Sequence, residues 1–179
     1  MTAIEIREVR PPEREEAGRV TALAYREFVR GEDWERYLEE IADVAGRADR
    51  TIVLGAFQDD RVLGTLTLEV DCRVGEGQDD REAEPLPPHE AHIRMLGVDP
   101  DARGRGIARA LMNESIRIAR ERGKTLMTLN TTHRMTAAQR MYSALGFRRE
   151  PDWQVDDDFV LLSYSLPLTT DPSPRLTSP

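Results

Sequence analysis

The order of elements predicts one α/β domain, a mixed central β-sheet with helices on both faces. Three observations carry that expectation. Residues 51–57 and 62–70 are apolar runs of strand length joined by Gln58-Asp59-Asp60-Arg61, the pattern of a β-hairpin. A further apolar strand, Ile93 to Val98, passes through a glycine-containing turn into a long amphipathic segment from Ile107. Finally, Leu126 to Asn130 reads as a strand followed by a helix from Thr136 and two more strand-like stretches. At 179 residues the chain is long enough to bury one core without staples.

Taken in order, Ile4 and Ile6 alternate with Glu5 and Arg7 in a short strand that Pro11-Pro12 closes. Pro12 opens a helix with Glu13, Glu15 and Glu16 in its first turns, where negative charge suits the helix dipole, and Val20, Ala24 and Phe28 form its apolar face. Gly31 stops it. Asp33 caps a second helix in which Trp34, Tyr37, Leu38, Ile41 and Ala45 fall at helical spacing up to Gly46. In the hairpin, Val62, Gly64, Leu66, Leu68 and Val70 share one face.

The stretch 73–90 is polar and acidic, with Glu76, Asp79, Asp80, Glu82 and Glu84, and reads as a long loop, either disordered or a lid. Beyond it, Ile107, Leu111 and Ile118 give the long helix a buried face, Arg109, Arg117, Arg120 and Arg122 form its solvated side, and Gly123 terminates it. Phe147 to Glu150 and Phe159 to Leu166 supply the last strands. The domain is expected to occupy residues 1–166, and the Thr/Ser/Pro-rich residues 167–179 to be a disordered tail.

Composition excludes several classes of function. The net charge is −8 and lysine and arginine collect on no face or tail, which argues against nucleic-acid binding. No apolar run approaches the ~18 residues of a membrane span, and the charged, alternating start is unlike a signal or transit peptide. A cytoplasmic protein is the resulting expectation. Cys72 is the single cysteine, so no internal disulfide forms, and it reads as a bystander rather than an acyl carrier. His89, His92 and His133 lack metal-ligand spacing with carboxylates, and no metal is expected.

The segment from His92 to Ala108 is the most informative. Gly104 and Gly106 allow a turn in which ligand approaches main chain, and the helix that follows opens with unpaired N–H groups at its positive end. A phosphate or pyrophosphate belongs at such a place. No Gly-Lys-Ser/Thr follows, which excludes a nucleoside-triphosphatase loop, and no N-terminal βαβ unit holds the turn as in dinucleotide-binding folds.

Arg103-Gly-Arg-Gly-Ile-Ala108 resembles the Arg/Gln-x-x-Gly-x-Gly/Ala signature of the GNAT superfamily of N-acetyltransferases, with Arg103, Gly106 and Ala108 on its defined positions. A second block, Ala137 to Phe147, resembles the family's Ala-x-x-Leu-Tyr-x-x-x-Gly-Phe motif through Ala138, Met141, Tyr142, Gly146 and Phe147. The two blocks follow the family's order and spacing, and the resemblance covers about residues 50–166.

That resemblance implies an enzyme that transfers an acetyl group from acetyl-CoA to a primary amine of a small molecule or protein by direct attack. The turn, with Arg103, Gly104, Arg105, Gly106, Ile107 and Ala108, would hold the coenzyme's pyrophosphate. Backbone groups of Leu96, Gly97 and Val98 would meet the pantetheine arm and acetyl carbonyl, Leu96 N–H being the expected oxyanion donor. Ala138 and Asn130 complete the cofactor set. Tyr142 takes the position of the general acid, because a phenol of ordinary pKa ~10 holds its proton at neutral pH and can pass it to a thiolate; Met141 is expected to serve the apolar side of that helix.

Two positions depart from the family pattern. His92 stands where members often carry glutamate, so the base is His92, or Glu90 on the same strand face, or a water relay. Met135 stands where many relatives have asparagine. The helices before residue 50 would line the entrance for the acceptor. A catalytically silent acyl-CoA-binding regulatory domain is the alternative, and both monomer and homodimer stay open.

Overall fold

The computed structural model describes residues 3–29, 32–73, 84–155 and 160–168. Gly31, the acidic positions Glu76, Asp79, Asp80 and Glu82, Phe159 and the tail from 169 therefore lie outside the described residues.

β1 (Glu5–Glu8) leads into α1 (Arg14–Tyr25), α2 (Glu32–Ala42) and α3 (Val44–Ala48). The hairpin β2 (Ile52–Gln58) and β3 (Arg61–Glu69) follows, then the short pair β4 (Cys72–Arg73) and β5 (Glu84–Pro85). β6 (Glu90–Val98), α4 (Ile107–Glu121), β7 (Leu126–Thr131) and α5 (Thr136–Ala144) form the next unit, and β8 (Arg148–Arg149), β9 (Trp153–Gln154) and β10 (Val160–Pro167) close the chain. Eight strands make one mixed sheet in the order β1-β2-β3-β6-β7-β10-β8, with β9 also on β10. β6 and β7 are parallel, joined by a crossover through α4, while their outer neighbours pair antiparallel. The expected α/β class and single mixed sheet are what the chain adopts.

The core lies on both faces. Leu66, Leu68, Ile93, Met127 and Leu129 pack with Leu111, Met112 and Ile116 of α4, and on the opposite face Val9, Val53 and Phe57 pack with Ala17 and Val20 of α1. Val62 belongs to that second group rather than to the face of Leu66 and Leu68. A bulge between Ala56 and Phe57 shifts the hairpin register, which breaks the alternation expected from residue 62 onward.

Three other sequence expectations are corrected. α1 ends at Tyr25, so Phe28 sits beyond it in a turn closed by Phe28 N–H to Tyr25 C=O. The second helix breaks at Asp43, whose carboxylate accepts from Gly46 N–H at 2.8 Å and starts α3 afresh. At the other end β10 includes Pro167, and Leu168 is buried with its N–H on Thr125 C=O, so the fold extends past residue 166.

What positions the site is the behaviour of β6. Its ladder with β7 runs from Glu90–Leu126 to Ile93–Leu129 and stops, although both strands continue. At that point Met95 takes a positive φ of 53°, and the β3–β6 register slips between Thr65 and Thr67. A bulge there swings the last residues of β6 away from β7. Next to it, Gly97 lets α1 rest on the sheet, because a Cβ at that position would stand 2.8 Å from Ala24 Cβ.

Candidate active site

The opening between β6 and β7 continues into a groove of about 440 Å³. Ala24, Tyr25 and Phe28 close one side, Leu96, Gly97 and Val98 form part of its wall, and Met135, Ala138 and Met141 close the other. At one end lie Arg103, Gly104, Gly106, Ile107 and Ala108. Gly104 and Gly106 have φ of 76° and 77°, and a Cβ on either would meet nothing within 4 Å. Gly106 caps α4, whose first turn carries no acidic residue. Free N–H groups, positive dipole end and open space coincide there, and together they suit a pyrophosphate.

Arginines stand around the rim. Arg103 pairs with Glu27 at 2.5 Å and reaches the Ala24 carbonyl, tying the turn to α1. Arg134 donates to the Phe28 carbonyl at 3.4 Å, joining the segment before α5 to the same side. Arg109, expected only as solvated helix surface, also lines the groove.

Of the residues expected to meet the cofactor, Leu96, Gly97, Val98, Arg103, Gly104, Gly106, Ile107, Ala108 and Ala138 are brought together here. Arg105 points elsewhere and donates to Gln58 Oε1 at 2.7 Å. Asn130 accepts from Ser163 Oγ at 2.9 Å on the neighbouring strand and is not part of the groove wall. Tyr25, Phe28 and Arg134 were not anticipated. Their only signal in the sequence is a pair of aromatics running past a helix end, which reads equally well as core.

The helix α5 turns differently from expectation. Met141 lines the groove, whereas Tyr142 is only 5 % exposed and packs in the core with ring centroids 5.9 Å from Phe147 and 5.8 Å from Tyr164. Burial, with Tyr164 beside it, raises the pKa of its phenol well above the ordinary value. The hydroxyl therefore keeps its proton throughout the physiological range.

A second constellation, expected to include the base, lies on the paired part of β6 and β7 and is not part of the groove wall. Arg73 donates to Glu90 Oε1 at 3.0 Å, Thr128 Oγ1 donates to the same oxygen at 2.6 Å, and Thr128 Oγ1 is 2.7 Å from His92 Nδ1. This order assigns the hydrogens. A threonine hydroxyl has one hydrogen, and with that hydrogen on Glu90 its oxygen accepts from His92, so Nδ1 carries the proton and Nε2 is the basic nitrogen. Burial, then Arg73 and Arg94, lower the His92 pKa to about 3, which keeps the ring neutral. No group of three or more His, Cys, Asp or Glu residues suited to a metal occurs among the described residues.

Residues 16–147 match the sequence profile of the Acetyltransferase (GNAT) family. The chain belongs to that family. Among curated proteins it is 41 % identical over 64 residues to the mycothiol acetyltransferase of Thermobispora bispora, covering 36 % of this chain and 21 % of that protein. It is 26 % identical over 135 residues to human N-acetyltransferase 8B, covering 68 % of this chain and 53 % of that protein. The chain thus spans about half or less of these two GNAT relatives. The structure of yncA from Salmonella typhimurium, solved with acetyl-CoA, superposes with a TM-score of 0.68 at 21 % identity over 98 % of this chain and 99 % of that one. The GNAT fold is therefore common to both, and no helix among the described residues is long and apolar enough to cross a membrane.

Proposed function

We propose that this GNAT protein is an N-acetyltransferase that uses acetyl-CoA to acetylate a primary amine of a small molecule or a protein by direct attack. The observation that carries the reading is the groove, in which an anion-binding turn and the parting of β6 from β7 are continuous. That yncA was solved with acetyl-CoA supports the same donor here.

In this reading the N–H groups around Gly104, Gly106, Ile107 and Ala108 hold the pyrophosphate, with the positive end of α4 behind them. The edge of β6 beyond Ile93 has no ladder to β7, and Leu96, Gly97 and Val98 offer backbone groups to an extended arm laid along it. Leu96 N–H stabilises the carbonyl oxygen as negative charge develops. Ala138 and Met141 pack against the arm from α5, while Arg105 and Asn130 have secondary roles because their side chains are engaged elsewhere.

Proton traffic uses two sets of residues. Tyr142, protonated at neutral pH, gives its hydrogen to the departing thiolate once its hydroxyl meets the end of the groove. On the acceptor side the amine proton leaves by way of His92 Nε2, then Nδ1, Thr128 and Glu90, with Arg73 at the outer end. The ring passes the proton and does not store it, since a lasting imidazolium is disfavoured by burial and by both arginines. Thr128→Val should interrupt this route, lowering kcat while acetyl-CoA affinity stays the same; an unaltered pH–rate profile in that variant refutes the relay.

The protein acts in the cytoplasm, without nucleic acid, membrane or metal, as a monomer or homodimer. The reading is tested by calorimetry with acetyl-CoA and by thiol release across polyamines, amino acids, aminoglycosides and peptide N-termini. Binding with turnover of at least one amine is the expected result. Binding without turnover of any amine supports the silent acyl-CoA-binding domain, which the deep burial of Tyr142 favours, and absence of binding at millimolar acetyl-CoA refutes both.

A further inference from the structure

Glu27 is a carboxylate in a groove that suits anions. Among the described residues that line the groove it is the one acidic side chain, set against the arginines at 103, 109 and 134. Its carboxylate lies 2.5 Å from Arg103 Nη1, beside the turn of Gly104 and Gly106. Neither partner is sealed inside the fold, since the Arg103 side chain is 40 % exposed and that of Glu27 48 %. An anion seated in the turn can therefore reach the guanidinium that Glu27 holds.

The segment that carries Glu27 does not depend on this pair. Beyond the end of α1, Phe28 N–H donates to Tyr25 C=O at 2.9 Å and Arg26 N–H to Ala22 C=O at 3.0 Å, which closes the turn through backbone alone. Arg134 donates to the Phe28 carbonyl at 3.4 Å and ties the same segment to the region before α5. Arg103 Nη2 lies 3.5 Å from the Ala24 carbonyl, near the negative end of α1, a contact that does not involve Glu27. What Glu27 supplies is a charge on Nη1.

Relative strength decides which partner keeps that nitrogen. An exposed ion pair contributes little, because water screens it and two long side chains lose freedom in forming it. A phosphate oxygen on an arginine makes a charge-assisted hydrogen bond, can take two N–H groups of the fork, and here has the positive end of α4 behind it. Phosphate therefore displaces the carboxylate, and the contact broken in doing so subtracts from the affinity observed.

We propose that Glu27 occupies Arg103 as an internal stand-in for phosphate, and that the donor's pyrophosphate displaces it, so that Glu27 holds donor affinity below what the turn and Arg103 would give without it. Glu27 acts through Arg103, as a positioning residue, and touches no reacting atom. The inference rests on the acetyltransferase reading above.

The test is calorimetry with coenzyme A and with pantetheine, which has the same arm and thiol and no phosphates. Removing the competing pair predicts that Glu27→Gln protein binds coenzyme A about two- to fivefold tighter, the range of an exposed ion pair, while pantetheine binding is unchanged. Glu8→Gln removes one charge from β1, outside the groove wall, and should leave both affinities as they are. Arg103→Gln should weaken coenzyme A binding, and Glu27→Gln added to it should bring no gain, because both substitutions act on one contact. Where the double variant binds too weakly to read, the single variant decides. Unchanged or weaker coenzyme A binding in Glu27→Gln protein overturns the inference, as does an equal gain for pantetheine, an equal gain in Glu8→Gln, or a full gain in the Arg103→Gln background. A Glu27→Gln protein that does not fold also overturns it, since the pair is then structural. Each of these leaves the acetyltransferase reading standing, whereas failure of the unmodified protein to bind coenzyme A or acetyl-CoA overturns that reading instead.

Discussion

Gly106 offers a way to separate backbone strain from ligand recognition, because the same helix carries a matching glycine at its other end. Gly106 has φ of 77° and Gly123 has φ of 74°, and a Cβ on either meets nothing within 4 Å. Replacement by alanine therefore costs conformational strain without a clash, about 1–2 kcal/mol at each site. For a domain of this size that corresponds to a melting temperature lower by about 2–8 °C. The two alanine variants should melt alike in the absence of ligand. Their behaviour with acetyl-CoA should differ: Gly106→Ala narrows the approach to the α4 N-terminus, while Gly123→Ala lies outside the groove wall. Gly106→Asp adds negative charge as well, and loss of a charge-assisted hydrogen bond, ~1.5–3 kcal/mol, predicts roughly 10- to 100-fold weaker binding. Calorimetry and ligand-dependent melting shifts measure both effects. Unchanged affinity in folded Gly106→Asp protein, or equal weakening in Gly123→Ala, refutes the placement of the pyrophosphate.

Other outcomes follow from the same geometry. Tyr142→Phe retains the packing with Phe147 and Tyr164, so acetyl-CoA affinity should hold while single-turnover acetyl transfer falls by ~10²–10⁴, and a rate within about threefold of wild type excludes the acid role. His92 titrates near pH 6.5 when unfolded and near 3 when native, so between those values the unfolded chain binds more protons. Its contribution to stability is complete above pH 6.5 and is lost as the pH falls, at up to about 1.4 kcal/mol per pH unit. Urea denaturation from pH 7 to 4.5 should show a shallower acid loss for His92→Gln than for wild type; parallel curves would exclude the buried neutral ring. Gly97→Ala should destabilise by about 1–3 kcal/mol, since its Cβ meets Ala24 Cβ at 2.8 Å, and an unchanged denaturation midpoint contradicts that contact.

The parts of this molecule that repeat or punctuate were readable in advance. Two apolar runs either side of Gln58-Asp59-Asp60-Arg61 placed the hairpin, and the glycines at 104 and 106 announced the turn and the helix after it. Events that depend on a single displaced residue were not readable. The bulge at Met95 has no compositional mark, and Asp43 resembles any other polar helix residue until its carboxylate turns back to Gly46. On α5, Met141 and Tyr142 are adjacent and both amphipathic enough for either face; the neighbouring aromatics Phe147 and Tyr164, one of them from a later strand, decide which ring enters the core. Arg47 and Thr128 were invisible for a related reason. A polar residue announces itself as surface, and only the pairing of β3, β6 and β7 beneath α1 to α3 reveals a polar layer inside.

The parting of β6 from β7 creates an edge in the middle of a sheet. Ordinary edges face solvent and invite other strands, so proteins blunt them with charge or cover. This one is fenced by Tyr25, Phe28 and Arg134, which line the groove beside it. A partner recognised through peptide groups makes few demands on side chains. Substitution can therefore rewrite most of such a chain while leaving a backbone-lined edge in working order, and members sharing this fold are free to differ in the side chains around it.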